Sequence, residues 1–186
     1  MYQSVVGSLR YLVNSRPDLT YSVGYISRLM EHPTTEHLAV VKRVLRYVAS
    51  TLQFGCCYRR WKEAQLVGFS DSNLAGDIDT CKSMTGVIFY LDDNVITWQL
   101  QKQRVVALSS CKAEYIATAT AACQGVWLAR LLTELKGEET GAITLKIDNQ
   151  SAIALSRNPV FHHQNKHIDI RFHYICECVE ENRVHI

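Results

Sequence analysis

Apolar positions change their spacing twice along the chain, and each change marks a different kind of element. Over residues 3 to 50 they recur at helical intervals, which predicts two or three helices. The last of these, "EHLAVVKRVLRYVAS", puts Leu38, Val41, Leu45 and Val48 on one face and Lys42, Arg43 and Arg46 on the other. The polar, basic stretch "YRRWKEA" then breaks the pattern and sets a boundary near residue 60. From residue 65 the spacing shortens to two, in "QLVGFSD", "MTGVIFYL" and "VITWQL". With a turn at Asp92, Asp93 and Asn94, this predicts an antiparallel hairpin preceded by a strand ending at Asp71.

Helical spacing returns in "SSCKAEYIATATAACQGVWLARLLTEL", with Ser109 or Ser110 as N-cap and Gly137 as stop. Ile116, Val126, Leu128, Leu131, Leu132 and Leu135 supply its apolar positions. The stretch "ITLKIDNQSAIAL" reads as a strand and then a short helix beginning after Asp148. A loop rich in His follows, then a helix over roughly 167 to 181 and a strand starting at "RVHI". The order βββαβαα predicts an α/β fold over residues 61–186, preceded by a small helical lobe over residues 1–60.

Composition narrows the classes of function. With 186 residues and 47% hydrophobic content the chain can bury a full core. No apolar run approaches the ~20 residues of a membrane span and no secretory leader is visible, so an intracellular protein, cytoplasmic or nuclear, with no membrane partner is expected. Seven Cys in no CxxC spacing read as reduced thiols. A net charge of +2 is too small to identify a nucleic-acid binder, so such a reading rests on local patches.

Three acids interrupt apolar surroundings at element ends: Asp71, Glu114 and Asp148. Each has an ordinary explanation: Asp71 in a turn, Glu114 on the helix dipole, Asp148 as a helix N-cap. On elements that pack side by side they would instead converge, and their repulsion would call for a hard cation such as Mg²⁺. A zinc site from His162, His163 and His167 with Cys176 and Cys178 is the weaker alternative, because residues two apart on a helix face different ways.

Several stretches together carry a family resemblance: "YQSVVGSLRYLVNSRPDLTYSVGYISRLM", "GFSDSNLAGD", "KSMTGVIFYL", "VALSSCKAEYIA", "DNQSAIAL" and "KHIDIRFHY". They resemble the Pol polyprotein of copia-type LTR retrotransposons. The resemblance implies that residues 1–60 match the tail of the reverse transcriptase, past its catalytic aspartates. It implies that the remainder is a ribonuclease H-like domain with a mixed sheet, an antiparallel hairpin plus a parallel strand, and flanking helices. By this match Asp71, Glu114 and Asp148 are the first three acids of the ribonuclease H site. They would bind two Mg²⁺ or Mn²⁺ ions and cleave the RNA strand of an RNA/DNA hybrid. Arg59, Arg60, Lys62, Lys102 and Arg104, with the basic helix of Lys42, Arg43 and Arg46, are the candidate phosphate contacts.

The departures from the family pattern set an alternative. In the family a further strand and a last helix with a fourth acid follow the "KHIDIRFHY" helix, whereas the chain here stops at Ile186. The expectation is a domain lacking its last helix, with a protein partner as one way to complete it. Asp169 lies on the preceding helix by the same resemblance and is assigned to structure. Cys81, Cys176, Gln99 and Gln164 stand where the family usually has Arg, and Lys112 where it usually has Glu. These changes fit a decayed or repurposed fragment: a catalytically impaired module for binding nucleic acid or protein.

Overall fold

The structure is a computed structural model and describes residues 1–60, 63–77, 80–157 and 166–186, with only the backbone of 157 and 166–172. The chain divides into two compact units, Met1–Tyr58 and Arg59–Ile186.

The first unit comprises α1 (Tyr2–Leu12), a 3₁₀ turn (Pro17–Leu19), α2 (Thr20–Arg28) and α3 (Thr35–Ser50). Val6, Leu9, Leu19, Val23, Ile26, Val41 and Val44 form its core. Helix α3 starts in a capping box: the Thr34 hydroxyl accepts from the His37 backbone N–H, and the His37 ring accepts from that of Thr34. Its buried face differs from the expected one. Val41 and Val44 are buried while Leu45 is 42% exposed, because the helix presents the 41/44/48 side inward.

The second unit is built on a five-stranded sheet: β1 (Leu66–Asp77), β2 (Lys82–Leu91), β3 (Asn94–Lys102), β4 (Ile143–Lys146) and β5 (Val184–His185), in the order β3-β2-β1-β4-β5. The β1–β2 and β2–β3 pairs are antiparallel, and the β1–β4 and β4–β5 pairs are parallel. The helices of this unit are α4 (Ser110–Lys136), α5 (Gln150–Arg157) and α6 (Lys166–Glu180). This is the expected mixed α/β architecture.

Strand β1 does not end at Asp71. It continues to Asp77, with Asp71 paired to Gly86 in mid-strand. The polar "SNLAGD" segment reads as a turn by composition, yet β2 supplies ladder partners for it up to Asn73 and again at Asp77. The irregularity between them takes Ala75 into the left-handed region at φ 51°. The far end is fastened by Asp77, whose carboxylate accepts from the Thr80 hydroxyl and pairs with Lys102 at 2.9 Å. The Thr80 bond first, and Lys102 second, hold the Asp77 carboxyl well below the usual carboxylate range.

Helix α4 is the element that carries chemistry to the sheet. Ser109 caps it, its hydroxyl accepting from the Lys112 N–H at 3.2 Å, and Gly137 ends it at φ 72°. Its inward face is made of small residues, including Ala113, Ala117, Ala121, Ala122 and Gly125. That lets it lie close over the Phe89 ring, which is fully buried. A Cβ on Gly68 would sit 2.4 Å from Phe89 Cε1, and one on Gly125 would sit 2.8 Å from Ile143 Cδ1. Two missing side chains thus set the spacing between helix and sheet.

Candidate metal centre

The sheet register brings Asp71 and Asp148 together. In the parallel pairing Val67 faces Thr144 and Phe69 faces Lys146, an offset of 77 positions that also separates Asp71 from Asp148. Asp148 lies two residues beyond β4, before α5 begins at Gln150. Glu114 comes from the start of α4 and is 5% exposed, while the two aspartates are exposed. One carboxylate oxygen from each of the three lies within 4.8 Å of the others.

The ordinary explanations do not account for these positions. The N-terminus of α5 is served by Asn149, whose side-chain oxygen accepts from the Ala152 N–H and whose carbonyl accepts from the Ile153 N–H, both at 3.0 Å. Asp148 therefore has no capping duty. Asp71 sits in a paired strand, outside any turn. Glu114 receives one hydrogen bond, from the Ser72 N–H to Oε1 at 2.9 Å, and its Oε2 is buried with no partner.

The electrostatics follow from this arrangement. Burial pushes the Glu114 carboxyl up to about 7; the Ser72 N–H opposes that shift, and the charges of Asp71 and Asp148 add to it. An all-oxygen donor set with a buried, unsatisfied lone pair fits a hard divalent cation such as Mg²⁺ or Mn²⁺, which would neutralise the repulsion.

The other candidates divide. Lys42, Arg43 and Arg46 are exposed on α3 in the first unit. Arg59, Arg60 and Arg104 are exposed in the second, where the Asn94 side chain fixes the backbone of Arg59 at 2.6 and 3.0 Å. Lys102 is tied to Asp77. Lys62, His162 and His163 lie outside the described residues, as do the side chains of His167 and Asp169. Cys176 and Cys178 are both buried, Cys178 within the main hydrophobic core. One residue near the acids carries no signal in the sequence: Gln103, a polar side chain directly after a strand that periodicity alone gives no reason to bury.

Comparisons with known proteins bear on the whole chain. No protein-family model matches it. The retrovirus-related Pol polyprotein from transposon TNT 1-94 of Nicotiana tabacum is 41% identical over 186 residues, which is 100% of this chain and 14% of that protein. The corresponding polyprotein from transposon RE1 of Arabidopsis thaliana is 40% identical over 185 residues, 100% of this chain and 13% of that one. The chain thus spans about a seventh of the length of these relatives. The secreted RxLR effector protein 161 of Plasmopara viticola is 42% identical over 137 residues, 73% of this chain and 96% of that protein. Among solved structures, LC11-RNase H1 shares 14% identity at a TM-score of 0.46, covering 65% of this chain and 81% of its own. At 41% and 40% identity over its whole length, the chain belongs to the retrovirus-related Pol polyproteins of transposons.

Proposed function

We propose that this chain hydrolyses the RNA strand of RNA/DNA hybrids with the help of bound divalent cations, as a domain of a copia-type element. The observation that carries the reading is the meeting of Asp71, Glu114 and Asp148 within 4.8 Å, with one Glu114 oxygen buried and unpartnered. Such a cluster opposes folding, and a cation bound to it would offset that penalty. When bound, Mg²⁺ or Mn²⁺ supplies an activated water and stabilises the leaving 3′ oxygen of an in-line displacement.

The chain's own groups do the rest. Asp71 is carried on a backbone paired with Gly86 of β2. Ser72 holds Glu114 by Oε1 and leaves Oε2 unpartnered for the cation. With its carboxyl pushed up to about 7, Glu114 is partly protonated near neutral pH, and cation binding would release that proton. Exposed Arg59, Arg60 and Arg104 are suited to sequence-independent phosphate contact, and the 2′-hydroxyls of the RNA strand distinguish it from DNA.

A second reading, a module that keeps the fold without turnover, is favoured by one observation. The relative named as a secreted effector aligns over 96% of its own length with this chain, so a segment of this kind also stands as a separate protein. Metal decides between the two. Millimolar Mg²⁺ or Mn²⁺ should raise the melting temperature and permit cleavage of a labelled hybrid. A chain that neither gains stability from the ions nor cleaves would be the non-catalytic module.

A further inference from the structure

Gln103 follows the last residue of β3 and is 5% exposed. Its backbone N–H extends the ladder to the Ser83 carbonyl at 2.9 Å. Its carboxamide nitrogen meets three acceptors: the Ala113 carbonyl at 2.9 Å, Thr85 Oγ1 at 3.0 Å and Ser72 Oγ at 3.3 Å. A carbonyl can only accept, so the Ala113 contact fixes which end of the amide faces the group. The opposite end, Oε1, is buried without a partner. A Leu or Met of similar size would leave the buried Thr85 hydroxyl without this donor, so the carboxamide is set apart from an apolar side chain by the bonds it makes.

The three acceptors bracket the acid cluster. Ser72 follows Asp71 on β1, and its N–H holds Glu114 Oε1 at 2.9 Å. Ala113 precedes Glu114 on α4, and Thr85 is the β2 partner of Ser72. One side chain therefore ties β1, β2 and α4 at the residues adjoining two of the three acids. Metal ligands depend on such supporting contacts to hold their lone pairs in place.

We propose that Gln103 is a positioning residue for the divalent-cation site: it fixes the joint between β1 and α4 that sets the distance from Asp71 to Glu114. The proposal rests on the reading that these acids bind a cation. It predicts that the carboxamide, and not merely a side chain of that volume, is required.

The test uses the whole chain with Gln103→Met, which keeps length and packing but removes the donors. Mn²⁺ affinity is measured by titration calorimetry well below the melting temperature. Exchange of the Ser72 amide is measured by NMR without metal, against the Phe89 amide as reference. Leu132→Ala serves as a control that destabilises α4 about 18 residues from Glu114, some 27 Å along the helix. The expected result is Mn²⁺ binding weakened roughly 10- to 100-fold in Gln103→Met, with Ser72 exchanging at least about tenfold faster. The control should move neither. Wild-type values for both in a less stable Gln103→Met would overturn the proposal. If the wild-type chain binds no Mn²⁺, the functional reading falls, and Ser72 exchange alone then decides whether Gln103 holds the joint. Should Gln103→Met not fold, Thr85→Val removes a single acceptor: a smaller shift of the same sign sustains the proposal, and none overturns it.

Discussion

Arg16 in the first unit and Glu114 in the second are equally buried, at 5% exposure, and are treated in opposite ways. Arg16 is fully met. It donates to both oxygens of Asp18 at 2.9 and 2.8 Å and to the Thr51 carbonyl and hydroxyl at 3.0 and 2.8 Å, with the Tyr47 and Phe54 rings within 6 Å. Those hydrogen bonds draw the Asp18 carboxyl below its ordinary value. Glu114 has one hydrogen bond, an unmet oxygen and two more carboxylates close by. The first cluster stabilises the fold that contains it. The second is assembled by the fold at a cost, as expected if the proposed function keeps these acids for a cation.

The comparison breaks most sharply at Asp71. Asp71→Asn should reduce hybrid cleavage roughly 10³-fold or more, since several kcal/mol of transition-state stabilisation depend on the cation it would hold. The metal-free fold should survive or gain stability, because one repelling charge is gone. Full activity in this variant would remove Asp71 from the site. The opposite outcome is expected in the first unit. Arg16→Met leaves Asp18 without its partner and should lower the melting temperature by roughly 10 °C or more, read by circular dichroism. An unchanged melt would mean that the two clusters do not differ as described.

Glu114 sharpens the contrast through pH. Its folded value lies near 7, above the ordinary 4.5, so between those values the folded chain keeps a proton that the unfolded chain has released. Its contribution is therefore a penalty that grows as pH rises from about 4.5 and is complete above about 7. It amounts to at most about 3.5 kcal/mol. Glu114→Gln should flatten this slope and make the metal-free protein more stable at pH 8. Saturating Mg²⁺ should cancel the penalty in the wild type and do nothing for the variant. Equal pH slopes in denaturant titrations of the two proteins would show that the carboxyl is not strained.

How far these features could be read from the sequence depends on their range. The strand starts, the Ser109 cap and the Gly137 stop are local signals, and they match the structure within a residue or two. The three acids were legible as interruptions of apolar runs. Their convergence depends on the parallel register of β1 with β4, and spacing alone could not supply that. The capping role offered for Asp148 falls to its neighbour for a related reason: Asn is also a capping residue type, and only the hydrogen bond from Ala152 shows that Asn149 caps the helix. Continuation of β1 to Asp77 and burial of Gln103 were hidden, since each is decided by a neighbour distant in sequence that overrides local preference.

The smallest expected effect concerns charges that neither cluster uses. Lys42, Arg43 and Arg46 stand exposed on the outer face of α3, where Arg46 Nε donates to the Lys42 carbonyl at a long 3.4 Å. Exposed charges of this kind add little to stability, so their replacement should leave the melt within about 0.5 kcal/mol of wild type. Their value would lie in neutralising phosphates. Changing all three to Gln should weaken hybrid binding and lower the slope of log affinity against log salt by up to roughly 0.9 for each phosphate no longer neutralised. Because the same variant leaves the acid cluster untouched, turnover at saturating hybrid should be preserved while affinity falls. An unchanged salt slope would identify the face as plain solvated surface, and would confine nucleic-acid binding to the unit that carries the acids.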